Sequence, residues 1–217
     1  MSLTEYAFVA FFIAIALFSI IDAIRTPLLV KRLYKEKGFS DKGKGELKAL
    51  SDSMLLEAMY TERLNTGTVQ GVEVSQCKAW SVNRRQFTLS KATRNRNRTA
   101  WSITTIKSNK PHSSFLALPT IVPEAVAYIG DGRSIDFPDD DDIQSRYHIT
   151  TENPDQIRSV CTGDIRQFLL ETEVIFLHQT EHELVLKRRW SADKVTNRLE
   201  RELNFAVQVH ERLGQLS

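Results

Sequence analysis

Asp139, Asp140, Asp141 and Asp142 follow Phe137-Pro138 and offer the hard oxygen ligands that suit calcium or magnesium. Consecutive carboxylates point in different directions, however, and the run lacks the alternating ligands and central glycine of a calcium loop. A solvated acidic turn is the expected role. Cys161 with His148, His178 or His182 supplies the side chains of a nucleophile and base. Yet Cys161 falls on an apolar stripe with Ile157 and Ile165, where a thiol serves as a small core residue. His178 and His182 are four apart, a zinc spacing when both ride on a helix. Here they flank a turn, and Gln179 stands where the metalloprotease motif requires glutamate. There is no phosphate-cradling glycine loop, nucleophile elbow or kinase set. The residue types therefore assign no catalytic, cofactor-binding or metal site and identify no small-molecule substrate; an enzyme, such as a hydrolase with a site assembled from scattered residues, stays open as the alternative to a binding module.

Basic side chains carry the more definite signal. Arg84 to Arg98 holds six basic residues and no acid, with Arg84, Arg85, Lys91, Arg94, Arg96 and Arg98 interleaved near Trp80, Phe87 and Trp101. Such a pattern binds phosphate backbones or anionic headgroups, or is a solvated loop whose aromatics belong to the core. With 29 Lys+Arg against 27 Asp+Glu, no global field recruits nucleic acid, and none is expected as a partner. A second basic group, Lys31, Arg32, Lys35 and Lys37, lies after an apolar N-terminal run and is expected to touch an anionic membrane face or a partner.

That run, Tyr6 to Ile21, is 16 residues without a charge, and extending it through Ile24 gives 19, close to the ~20 needed to cross a bilayer. It is apolar all round and has no preceding Lys or Arg and no small-residue cleavage site, which argues against an interfacial helix and a secretory leader. Residues 1–24 are thus expected as a transmembrane anchor spanning at 6–24, 25–45 as a basic juxtamembrane segment and linker, and 46–217 as one domain. Basic residues follow the run and only Glu5 precedes it, placing the N-terminus outside and the domain in the cytoplasm of a bacterial inner-membrane, single-pass protein. Cys77 and Cys161 agree with a reducing compartment, with a disulfide between them left open.

The elements that would position these groups read as follows. Glu46 to Leu64 has apolar residues at helical spacing, at Leu47, Leu50, Met54, Leu55, Ala58 and Met59. Thr68 to Cys77, Trp80 to Leu89 and Thr99 to Lys107 carry the β-branched and aromatic content of strands, with shorter strands at Phe115 to Leu118 and Arg146 to Thr150. Asn153-Pro154-Asp155-Gln156 is a helix start, followed by the stripe Ile157, Val160, Cys161, Ile165, Phe168 and Leu169. Glu173 to His178 and Glu183 to Arg189 form a hairpin, and a closing helix runs from about Ser191 to Gly214. The pattern predicts an α+β domain with antiparallel sheet and about three packed helices behind the transmembrane helix.

Gly71-Val72-Glu73-Val74, Thr99 to Ile103, Phe115 to Pro119 with Pro123, Ile135-Asp136-Phe137, Tyr147-His148-Ile149 and Ile157-Arg158 together resemble a loosely defined group of uncharacterised bacterial membrane-anchored proteins. Those relatives usually show Leu-Pro-x-Phe-x-Leu-x-Pro, where this chain has Leu118-Pro119-Thr120-Ile121-Val122-Pro123, shorter and without the phenylalanine. The resemblance implies an envelope protein with an α+β domain and transfers no activity. From the sequence the expected function is a binding or interaction module for a partner protein or an anionic membrane face, with a structural subunit of an envelope complex as a further alternative.

Overall fold

Ten cross-strand pairs, interrupted by one bulge, begin where Gln70 and Gly71 both take positive φ, 52° and 85°. Two such residues make the two-residue turn whose twist matches a hairpin, so Val69 faces Val72 and the chain folds back on itself. In the computed structural model, which describes residues 3–43, 59–81, 99–120, 135, 141–171, 175–190 and 195–215, this turn joins β2 (Met59–Val69) to β3 (Val72–Ser81). The strand expected over 68–77 is therefore two strands and a turn, and residues 59–64 belong to β2 instead of ending a helix. Residues 46–58 and 82–89 of the expected elements lie outside the described residues.

The other strands are β1 (Ser40–Asp41), β4 (Thr99–Lys107), β5 (Phe115–Pro119), β6 (Tyr147–Thr151), β7 (Ile175–Gln179) and β8 (Glu183–Arg189). All described pairings are antiparallel, in the order β1-β2-β3-β4-β8-β7-β5-β6. The helices are α1 (Leu3–Glu36), α2 (Asp141–Arg146), α3 (Pro154–Val160), α4 (Gly163–Glu171) and α5 (Val195–Gln215). The fold is α+β.

Both faces of the sheet are buried, which is why its central strands β4 and β8 read as near-continuous buried runs rather than clean alternation. On one face Val74, Ile106, Leu177, Leu184 and Leu186 meet Leu199, Leu203, Ala206 and Leu213 of α5 and Ile157, Ile165 and Leu169 of α3 and α4. On the other, Leu64, Cys77, Ile103, Leu116, Phe176 and Val185 form a second cluster. The predicted cap is present: Asn153 Oδ1 accepts from the Gln156 amide at 3.3 Å and Pro154 opens α3. Gly163, at φ 55°, breaks the stripe into two helices.

No helix among the described residues is long and apolar enough to cross a membrane. This overturns the transmembrane helix expected at 6–24, the fold class built on it, and the single-pass bacterial inner-membrane placement with the N-terminus outside and the domain cytoplasmic. The physical reason is length. Tyr6 to Ile21 is 16 residues, about 24 Å of helix against a hydrocarbon core of ~30 Å, and α1 then runs on through Asp22, Arg25 and Lys31.

Candidate functional site

Two turns of α1 touch the domain. Leu33 and Tyr34 are buried in its core with Val30 and Phe39 packed against it, whereas Tyr6, Phe8, Phe11, Phe12, Ile13, Phe18, Ile21, Ile24 and Leu28 are each more than half exposed. The helix ends by design of its sequence. Gly38 takes φ 74°, its amide bonds the Lys35 carbonyl at 3.2 Å, and the Phe39 amide bonds the Tyr34 carbonyl at 2.7 Å. This is the Schellman arrangement, with its hydrophobic contact supplied by the Tyr34 and Phe39 rings at 5.4 Å. Phe39 then crosses β2 where a β-carbon on Gly67 would lie 2.6 Å from its ring and 3.0 Å from its Cα, so a side chain there is excluded.

Beneath this foot lies a buried polar network. The Tyr34 hydroxyl donates to Gln76 Oε1; Gln76 Nε2 donates to Ser102 Oγ at 2.8 Å, and Ser102 Oγ donates to Glu202 Oε1 at 2.8 Å. Thr104 Oγ1 also donates to Glu202 Oε1, at 2.9 Å, and Arg188 holds Oε2 through Nε at 3.1 Å and Nη2 at 2.9 Å. The Glu202 side chain is fully buried and that of Arg188 is 10% exposed. Burial, then the Glu202 charge, then Cys77 raise the Tyr34 phenol well above its usual range, so it stays a donor. The network carries no solvent-facing reactive atom. It joins α1 to β3, β4, β8 and α5, and its chemistry is that of positioning.

The sequence-predicted residues separate accordingly. Lys31 and Lys35 are exposed on α1. Arg32 pairs with Glu36 at 2.7 Å, and Lys37 pairs with Glu200 of α5 at 2.5 Å, so Lys37 helps root the helix. Arg84, Arg85, Arg94, Arg96 and Arg98 lie outside the described residues. Of their aromatic neighbours Phe87 also lies outside the described residues, whereas Lys78 Nζ sits 4.7 Å from the Trp80 ring and 4.9 Å from that of Trp190, and Lys187 Nζ sits 4.6 Å from Trp101. The expected linker is pinned through residue 43: Ser40 and Asp41 pair with Thr66 and Asn65, and Lys42 and Gly43 exchange backbone bonds with Leu64.

Cys161 lies in the helix-side core, while His148 and His178 are register partners of Leu118 and Leu116, on the opposite face. Cys161 is thus parted from His148 and His178 by the sheet, and His182 stands in the turn between β7 and β8. Cys77 and Cys161 are not joined by a disulfide. Asp142 reaches Arg166 at 3.6 Å in the first turn of α2, and among the described residues no group of three potential ligands gathers for a metal ion. Ser108 Oγ lies 2.8 Å from His112 Nε2 and accepts from the Lys110 amide, closing its own loop.

Sequence reasoning missed Glu202, Arg188, Ser102 and Gln76. Glu202 was the available signal, because a charge stands on the same helical face as Leu199, Ala206, Val209 and Leu213.

No protein-family model matches this chain, and no curated protein matches it significantly. Among solved structures it is similar to the crystal structure of the mycobacterial trehalose monomycolate transport factor A, TtfA, with TM-score 0.51 and 11% identity over 84% of this chain and 91% of that one. At that identity the likeness establishes shared fold.

Proposed function

We propose that this protein is a non-catalytic interaction module that presents α1 to a partner protein. The observation that carries the reading is the exposure of the apolar side chains from Tyr6 to Leu29. Side chains of that size, about half exposed, add up to on the order of 1,000 Å² of apolar surface, above the roughly 300–600 Å² of the largest patch on an ordinary monomer. Burying each one contributes about 1.5–3 kcal/mol before the cost of association. Because the apolar positions run round the helix, a partner must enclose it rather than touch one stripe. The rooted end supports the same reading: the Schellman turn, the Lys37–Glu200 pair and the Tyr34–Gln76 bond fix the direction in which the helix leaves the domain. The similarly folded protein is a transport factor, which accords with a role exercised on other molecules.

The test is co-purification of the full chain with and without the paired substitution Phe11→Ser and Phe18→Ser. A stoichiometric protein partner retained by the native chain and lost from the variant is the expected result. Retention of the same partner by the variant, or recovery of phospholipid in place of protein, would exclude the proposal.

A further inference from the structure

Three elements meet at one corner of the sheet, away from the foot of α1. The loop after β4 brings Ser108, Lys110 and His112; the β7–β8 turn brings Glu181 and His182; the last turns of α5 bring His210, Glu211 and Gly214. Backbone bonds from Ser108 to the His182 carbonyl and from His112 to the Glu181 carbonyl, both 2.8 Å, tie loop to turn. The only side chains joining this pair to α5 through ring contact are imidazoles: His112 and His210 pack edge to face, with centroids 5.3 Å apart and planes at 85°, as seen among the described residues. Gly214 lies close enough that a β-carbon there would meet His112 Cε1 at 3.6 Å. His210 Nδ1 is buried and makes no hydrogen bond among the described residues.

An edge-to-face contact suits two neutral rings. A proton added to His210 Nδ1 would put a charge on an atom that has no acceptor, and protonating both rings would set like charges about 5 Å apart, each of which is unfavourable away from water. We propose that His112 and His210 form an acid-opened clasp, closed while both rings are uncharged and released when either takes up a proton, freeing the C-terminal turns of α5 from the sheet corner.

The surrounding charges favour opening. Lys110 and His182 both oppose a positive charge on His112, and His112 opposes one on His210. Glu181 is directed to His182, at 3.7 Å. Glu183 stands at the start of β8 in register with Lys107, and Arg212, next on α5, is turned to the carbonyls of Val160 and Thr162. Burial comes first in holding both histidines below the ordinary range. The folded chain therefore binds fewer protons than the unfolded one below about pH 6.5, and stability falls as pH drops through that window until the lowered folded values are passed.

Hydrogen exchange of the full chain at about pH 7.5 and pH 5.5, corrected for the intrinsic rate, reads the clasp. Amides from Val207 to Gly214 should lose protection several-fold at the lower pH, while those of Ile103 to Ile106 in β4 hold theirs. In His210→Phe, which keeps a ring edge and removes the titrating nitrogens, most of that loss should vanish. An undiminished loss in the variant, or none in the native chain, overturns the proposal. Should the variant not fold, imidazole titration by NMR on the native chain decides: both rings titrating below about 6.5 supports the clasp, and either at or above that ordinary value refutes it.

Discussion

At the level of single residues, the most consequential side chain is Glu202, whose two oxygens take four hydrogen bonds out of contact with water. Glu202→Leu leaves the Arg188 guanidinium without its counter-ion, and the expected cost is about 3–5 kcal/mol in urea unfolding. Removing both charges together, as Glu202→Leu with Arg188→Met, should restore a large part of that loss, because an apolar pair of similar volume avoids the uncompensated charge. Cys77 gives a second residue-level expectation. Burial pushes its thiol up to about 12, ahead of smaller effects from Thr61 and Glu202, so almost no thiolate exists at pH 8. Iodoacetamide should modify it only once the chain is unfolded; labelling of the native protein at the rate of a free thiol would contradict this.

At the level of elements, local chemistry was legible and long-range pairing was not. The helix start at Asn153-Pro154, the β7–β8 hairpin and the closing helix can all be read directly because each depends on neighbours within a few positions. The end of α1 depends equally on neighbours, through Gly38 and the Tyr34–Phe39 contact. In β2 a bulge between Thr61 and Arg63 shifts the register by one. Met59, Thr61 and Leu64 consequently share burial at spacings of two and three, and period-two alternation disappears from the sequence. The polar network was hidden for a related reason: Tyr34, Gln76, Ser102, Arg188 and Glu202 come from five elements that only the sheet order brings together. The joint between α1 and the sheet can be tested at Gly67. Gly67→Ala places a methyl group against Phe39, and overpacking of that kind costs about 1–3 kcal/mol. The loss should appear as faster exchange of the Lys42 amide, which bonds the Leu64 carbonyl at 2.8 Å, with β4 amides unchanged.

At the scale of the whole molecule, the domain is a two-faced antiparallel sheet that satisfies its own core, and α1 is the element whose apolar surface the described chain leaves uncovered. The uncharged N-terminal run was plain in the sequence, but its role was not: a run of 16 residues is short of a bilayer's width, and composition does not reveal that the helix is rooted through Tyr34 and Lys37. Rooting makes α1 a directed arm, and enclosure of that arm by protein is the central claim. Its most direct measurement is photocrosslinking in intact cells from a benzophenone side chain placed in turn at Phe11, Phe18 and Arg158. Adducts to one discrete protein from Phe11 and Phe18, with none from Arg158, are the predicted result. Adducts from the two α1 positions that contain lipid and no protein would contradict the account.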